Sequence, residues 1–456
     1  MLQGRITNAP HVPRARAFLD GPSMVQNPIR VFESYRAQYG HTFSFHFGGA
    51  KPAIVSTDPA FLQRVLQKNQ TNYNKSDIQV ERMGEFQGQG LLNSHGAAWL
   101  RQRRLLAKGF LRSRLTRMLP MQLEILDELM TSFDKEATRG PVEIRQQMVR
   151  FTLRLVGKSL LGRSMGDAEL QEIGDAISQI QEFIVRQIVQ PYKIPWFQLS
   201  GQSAHYQKIR RDADRIVLRH IQAQRGEEGG DDDFLRLLLD TPCEETGEPM
   251  SEEQVMIESL QLMVAGNETS SNALSWIFYL LARHPDHLAR IRGEIDAVIG
   301  DKPLDFEALH ALEKTLQVID EAMRLYPPFW MVDRIALEDD EICGIEIPAG
   351  TMVIPYIYGT HRNPAFWSDA ESFDPSRFDP DRRKERNGFA YIPFGAGPRI
   401  CIGNNMAILQ ILMIVTSVVR AYDFELLTDQ PVGIRPMMIL RPDGPITMRF
   451  RRIARA

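Results

Sequence analysis

Apolar residues recur at helical spacing through the middle of the chain, from about Pro120 to Ile299. Short runs with β character appear near Thr42–Phe47, Ala53–Ser56, Thr351–Pro355 and Ile446–Arg449. The pattern predicts a mixed, mainly α protein with a smaller β portion. The longest predicted helix opens at Ser251-Glu-Glu-Gln254, a capping box in which the Ser251 side chain and Gln254 satisfy reciprocal N-terminal donors. It runs on without proline to Arg283, just before His284-Pro285, and at this length would extend roughly 50 Å. The acidic, glycine-rich run Arg225–Asp233 reads as a solvated loop between two helical blocks.

Composition narrows the picture. With 456 residues, 43% of them hydrophobic and 24% charged, the chain has enough apolar material for one large unit of two unequal lobes. A net charge of −3 provides no global basic field of the kind that recruits nucleic acid. The N-terminal stretch Met1–Pro10 has neither an apolar signal core nor the roughly 20 apolar residues of a membrane anchor. A soluble, cytoplasmic protein without an anchor is therefore expected. Three cysteines are too few for a disulfide scaffold, which points to a reducing compartment. Cys243 and Cys343 read as small buried hydrophobes.

Cys401 is different. It sits in Phe394-x-x-Gly397-x-Arg399-x-Cys401-x-Gly403, a window with the parts needed to hold a thiolate as the fifth ligand of a haem iron. Phe394 can lie beside the sulfur, and Gly395, Gly397 and Gly403 let the backbone turn tightly and approach a porphyrin closely. Backbone N–H groups aimed at the sulfur would then stabilise the thiolate and tune the iron. Arg399 is placed to neutralise a propionate. The window resembles the cysteine loop of the cytochrome P450 family and matches its signature at every fixed position.

A second segment agrees with the first. The middle of the long predicted helix reads Ala265-Gly266-Asn267-Glu268-Thr269. An acid followed by an alcohol is costly in an apolar helix, because Glu268 loses solvation when buried and Thr269 competes for a backbone carbonyl and opens the helix locally. Read alone, the pair is an exposed Glu and a Thr bonded to its own helix. Beside Cys401 it resembles the family's distal motif, which implies catalytic roles for Gly266, Glu268 and Thr269, with Ala265 against the haem. Thr269 would hold a hydrogen bond to the oxygen ligand or water, and Glu268 would connect the site to bulk protons.

The resemblance runs from about Pro28 to Arg451. Glu321-x-x-Arg324, alone a surface pair worth a few tenths of a kcal/mol, would by resemblance join Arg377 in a buried structural triad behind the cysteine loop. Trp99 and Arg103, on one helical face, and Arg334 would grip the propionates. Arg101, Arg104, Lys108, Arg112 and Arg114 crowd the same region and would offer an acidic electron-transfer partner a basic surface.

The resemblance implies a cytochrome P450 fold, a triangular prism with haem between a long distal helix and a proximal cysteine loop. It also implies a single domain over 1–456, with a helix-rich lobe at about 95–320 and 400–422 and a β-rich lobe at about 28–75 and 330–395. The cofactor would be haem b with a cysteine thiolate, consuming O2 and electrons from NAD(P)H. Since the sequence has no fused flavin or iron–sulfur pattern, electrons would arrive from a ferredoxin or flavodoxin with its reductase.

Pocket-lining segments expected by analogy are Lys75 to Leu92, Ile180 to Leu199 with Phe183, the helix near Met263, the run Phe329, Trp330, Met331, Val332, and the stretch Met437, Met438, Ile439. Their apolar character suits hydroxylation of a fatty acid, terpenoid or carotenoid-like substrate. Arg186 and Lys193 are candidates to meet a carboxylate. Oxidative O-demethylation of a methyl ether or methylated sugar, a peroxide-driven peroxygenase and a non-catalytic haem gas sensor are the competing readings. The intact Glu268-Thr269 pair disfavours the peroxygenase, and the lack of an output module outside the resembled region disfavours the sensor.

Overall fold

The structure is a computed structural model that describes residues 7–47, 51–162, 164–225, 234–243, 247–428 and 430–453. Of the predicted acidic loop Arg225–Asp233, residues 226–233 lie outside them, as do residues 1–6, and Arg225 ends the helix Gln202–Arg225. The chain divides into two compact units. One comprises Met1–Ser76, Leu316–Cys401 and Gly433–Asp443, the other Asp77–Thr315, Ile402–Val432 and Gly444–Ala456.

The first unit is built on a five-stranded sheet. Thr42–Phe47 pairs antiparallel with Lys51–Ser56, which runs parallel to Met352–Pro355, followed by Arg334–Ala336 and Tyr73–Asn74. The first strand forms where the sequence alternates large apolar and polar residues: Phe43 and Phe45 are buried, and Phe32 and Tyr35 of helix Pro28–Tyr39 meet them edge-on. Behind the sheet, Ile54, Phe61, Leu62, Leu66, Val353 and Ile392 share one apolar cluster, each side chain contributing about 1.5–3 kcal/mol on burial. Leu66 and Ile392 matter for the site, because they flank the cysteine loop. An antiparallel ribbon of Gly433–Pro436 and Leu440–Asp443, not anticipated from the sequence, completes this unit.

The second unit is mainly helical. Its central element is Glu252–Arg283, 32 residues long and buried over most of its length. Ser251 caps it by accepting from the Gln254 N–H at 3.2 Å. The reciprocal half of the predicted box does not form: the Gln254 side chain instead donates to the Gln89 carbonyl at 3.1 Å and to Glu258 at 2.8 Å. Helix Ile144–Leu161 packs along it, and a three-stranded sheet of Val142–Glu143, Thr447–Arg452 and Tyr422–Leu426 closes one end. Asn404–Ala421 is the one helix among the described residues long and apolar enough to cross a membrane, and most of it is buried.

Two small expectations need correction. Cys343 is exposed, in the left-handed turn (φ 53°) between Asp340–Ile342 and Ile345–Ile347, and Cys243 is only half-buried. Neither is a core hydrophobe, since each lies outside the regular elements, where no apolar face collects it.

Candidate active site

In the first unit, the cysteine loop is held at both ends by hydrogen bonds. The Ile392 N–H donates to His361 Nε2 at 3.0 Å, Gly395 N–H closes a turn on the Ile392 carbonyl at 3.0 Å, and Cys401 N–H donates to the Phe394 carbonyl at 2.9 Å. His361 is fully buried, and burial, together with Arg324 and Arg362, lowers its pKa to about 3. It therefore stays neutral and keeps Nε2 as an acceptor. Gly395 and Gly397 take φ of 74° and 69°, and a Cβ on Gly397 would lie 1.9 Å from the Leu66 carbonyl oxygen. Only glycine fits there. Cys401 is left exposed, with Phe394 and Arg399 half-exposed around the loop.

Behind this loop, Glu321, Arg324 and Arg377 meet. Arg324 grips Glu321 through two bonds of 2.7 and 2.8 Å, and Arg377 Nε lies 3.3 Å from the same carboxylate. The guanidiniums also donate to the carbonyls of His361, Ala370 and Ser372, and of Ser368 and Asp369. The Asp374 N–H fills the remaining position on Glu321. Most of the donors and acceptors of this buried triad are matched, the condition under which buried charge is tolerated. Its further partners are backbone groups of 361–374, so it holds the chain path there.

Arg334 is buried, and burial pushes its pKa down against the opposing pull of Asp333. It donates to the Asp333 carbonyl at 2.7 Å. A guanidinium so placed favours an anionic ligand. Phe329 is exposed, whereas Trp330 is buried and donates its Nε1–H to the Met437 carbonyl at 2.8 Å. That bond joins the segments 329–332 and 437–439, two of the stretches expected to line the pocket. Met331, Met437 and Met438 are half-exposed there.

In the second unit, the Glu252–Arg283 helix is continuous through Gly266-Asn267-Glu268-Thr269. The Thr269 hydroxyl does donate to the Ala265 carbonyl at 2.6 Å, but the expected local opening is absent and the helix stays intact. Glu268 is buried, so the exposed acid of the plainer reading does not apply. Ala265, Gly266 and Thr269 are partly open, as is Val264 beside them, while Asn267 and Glu268 between them are buried. A Cβ on Gly266 would come 3.0 Å from Val156. Met263 is fully buried and lies about 200° around the helix from Ala265. Phe183 is also fully enclosed, stacked on Tyr206 at 4.1 Å with Phe86 and Phe197 edge-on. Arg186 donates to the Tyr206 hydroxyl at 2.8 Å and packs over the same rings, while Lys193 is exposed above Tyr192.

Trp99 and Arg103 share helix Gly96–Ala107 and are half-buried, whereas Arg101 and Arg104 are exposed. Arg112 is committed to Glu307 at 2.7 Å and to the Phe306 ring. Sequence reasoning missed His361, whose partner is a backbone N–H, and Thr152, which reaches Asn267 from a neighbouring helix. No spacing rule points to either.

The model of the cytochrome P450 family matches residues 10–450. The chain belongs to the cytochrome P450 family. It is 27% identical over 429 residues to cyclooctatin synthase of Streptomyces melanosporofaciens, covering 93% of this chain and 91% of that one. It is also 27% identical over 445 residues to LUTEIN DEFICIENT 5, a chloroplastic protein of Arabidopsis thaliana, covering 92% and 73%. The cytochrome P450DA heme domain superposes with a TM-score of 0.83 at 23% identity, covering 98% of this chain and 97% of that one, and a mutant of it with a TM-score of 0.85. The protein is thus a P450 monooxygenase, with haem b, a cysteine thiolate ligand, O2 and electrons from NAD(P)H through redox partners. The residues present fit that cofactor: an exposed cysteine on a loop braced at both ends, a buried arginine that favours an anion, and a glycine that admits close backbone approach.

Proposed function

We propose that this P450 oxygenates an apolar substrate of the terpenoid or carotenoid-like class, with Cys401 as the thiolate ligand. The observation that carries the ligand assignment is the loop itself, in which Cys401 N–H is spent on the Phe394 carbonyl and the side chain stands clear of the unit's core. Arg334 and Arg399 in the first unit are proposed as propionate partners, as, independently, are Trp99 and Arg103 in the second. Bound haem supplies the reductive activation of dioxygen.

The protein's own residues do the rest. Thr269, tied to the Ala265 carbonyl, presents a hydroxyl whose oxygen remains an acceptor. Glu268, one residue earlier and buried, is the proton source behind it. Gly266 and Ala265 keep that helix face low enough for a ligand to approach.

The substrate class draws support from the relatives concerned with terpenoids and carotenoids, among them cyclooctat-9-en-7-ol 5-monooxygenase of Streptomyces melanosporofaciens, 27% identical over 393 residues. It draws further support from the apolar run Phe329–Val332 beside Met437 and Met438. A ferredoxin or flavodoxin with its reductase is the electron source, meeting the exposed Arg101 and Arg104. Three cysteines in 456 residues are too few for a disulfide scaffold, which supports a cytoplasmic site of action. The test is a library of terpenoids, carotenoid fragments, fatty acids and methyl ethers screened by the low-spin to high-spin shift of the haem-loaded protein. The terpenoid and carotenoid members should give the largest shifts. Shifts confined to fatty acids or methyl ethers would overturn the substrate class.

A further inference from the structure

Three polar side chains follow one another along the buried N-terminal half of the long helix, at Gln254, Glu258 and Gln261. Their spacing of four and three places them on one face. That face continues one turn later to Ala265 and two turns later to Thr269. Glu258 and Gln261 are fully enclosed, and uncompensated burial of such groups is costly. Nothing in the family resemblance or in the reading of Thr269 accounts for them.

Besides the bond between Gln254 and Glu258, all three reach one short stretch, residues 87–93, which leaves the helix Gly84–Gln87 without entering another regular element. Gln254 donates to the Gln89 carbonyl at 3.1 Å. Glu258 accepts from the Leu91 N–H at 3.0 Å. Gln261 accepts from the Leu92 N–H at 2.9 Å while donating to the Gly88 carbonyl and to Asn93 Oδ1, both at 3.1 Å. Asn93 folds back on the same stretch, donating to the Gly88 carbonyl at 2.7 Å and accepting from the Gly90 N–H at 2.9 Å. The helix therefore supplies, from side chains, the backbone partners that a strand would otherwise provide.

Two glycines make the contact possible. Gly88 has φ 73°, and a Cβ there would lie 2.9 Å from Ile257; a Cβ on Gly90 would lie 2.5 Å from Gln261 Oε1. The stretch lies flat on the helix because neither position carries a side chain.

We infer that Gln254, Glu258 and Gln261 are positioning residues: they fasten segment 87–93, most of it within the stretch already expected to line the pocket, to the helix carrying Thr269, and this fastening sets the size of ligand admitted. The role in ligand size rests on the reading of Thr269 as part of the active site; the fastening itself does not. The geometric link is short. Gln261, which holds Leu92, is one helical turn from Ala265, and Thr269 is about 12 Å along the same face. A displacement of segment 87–93 would change the space along that helix face, on the side of Gln261, without touching Thr269 or its bond to Ala265.

The test uses haem-loaded full-length protein, hydrogen exchange by mass spectrometry and spectral titration with imidazole and with the bulky azole clotrimazole. Gln261→Leu keeps the volume but removes one acceptor and both donors. Exchange in peptides covering 87–93 should rise about tenfold or more, with peptides of the 262–283 segment unchanged. The thiolate-type ferrous carbon-monoxide spectrum should persist. Clotrimazole affinity should shift by about tenfold relative to imidazole, a discrimination that general loosening would not produce. Gln261→Glu, which keeps the acceptor for Leu92, should fall between parent and Gln261→Leu. Gln254→Leu, at the half-exposed end of the row, gives a milder variant should the buried one fail to accumulate.

Unchanged exchange in 87–93 would overturn the fastening. Faster exchange with an unmoved clotrimazole-to-imidazole ratio would overturn the role in ligand size. A parent protein that binds neither azole through its haem would instead sink the reading of the site, while the exchange data still judged the fastening.

Discussion

The Thr152 hydroxyl donates to Asn267 Oδ1 at 2.7 Å and lies 3.2 Å from the Asn267 carbonyl, bridging two buried helices beside the pair Glu268-Thr269. Thr152→Val preserves shape but leaves the Asn267 amide oxygen enclosed without that donor. The variant should lose about 1–3 kcal/mol of stability, read as a lower midpoint in chemical denaturation with an unchanged slope. Equal midpoints would show that the contact is dispensable.

Cys401→Ser should fold, because the bonds that shape its loop come from backbone atoms and from His361. It should nevertheless lose the strongly red-shifted ferrous carbon-monoxide band, since a neutral hydroxyl lacks the soft charge of a thiolate. Retention of that band would remove Cys401 from the ligand position.

Thr269→Ala breaks the 2.6 Å bond to Ala265 and removes the hydroxyl. Haem and substrate should still bind. Oxidation of NAD(P)H should yield more hydrogen peroxide and less product, measured as the ratio of product to cofactor consumed. A ratio equal to that of the parent would exclude Thr269 from proton handling.

Asp340 offers a pH test away from the site. Burial raises its pKa, but hydrogen bonds from Arg64, Tyr73 and Asn69 outweigh that and leave it at about 2. A carboxyl depressed on folding adds stability above its unfolded pKa near 3.8 and loses it as pH falls towards about 2. Asp340→Asn should therefore cost about 2 kcal/mol at neutral pH, and the gap from the parent should close between about pH 4 and pH 2. A gap that held constant across that range would show that the charge is not what stabilises.

Reversing Arg101 and Arg104 to Glu, both being exposed, should slow reduction by a ferredoxin at low salt and leave the substrate-induced spin shift in place. Because surface charge mainly accelerates encounter, the difference should shrink as salt rises. Rates indifferent to both charge and salt would place docking elsewhere.

What could be read in advance followed from periodicity and from local motifs. The strand Thr42–Phe47 alternates its apolar residues, and the helix Glu252–Arg283 announces itself by Ser251 and by Pro285 beyond its end. The cysteine loop was visible because glycines and a cysteine at fixed spacing have few other uses. The fastening of segment 87–93 was not visible, since Gln254 looked like half of a capping box and Gln261 like any polar residue on a helix. Their partners are backbone groups some 170 positions away, and sequence does not show which backbone a side chain will meet. Trp330 reads as a pocket aromatic until its Nε1–H is found on the Met437 carbonyl.

Gly397 carries one more consequence, for the order in which the protein matures. Its close approach to the Leu66 carbonyl ties the cysteine loop to the helical segment Arg64–Lys68, laid down more than 300 residues earlier. A nascent chain still short of residue 401 cannot have shaped that loop, however well its first strands have formed. Contacts of such long sequence separation form late and slowly, so the shape of the cysteine loop is set only once both the Leu66 segment and the loop itself have been made.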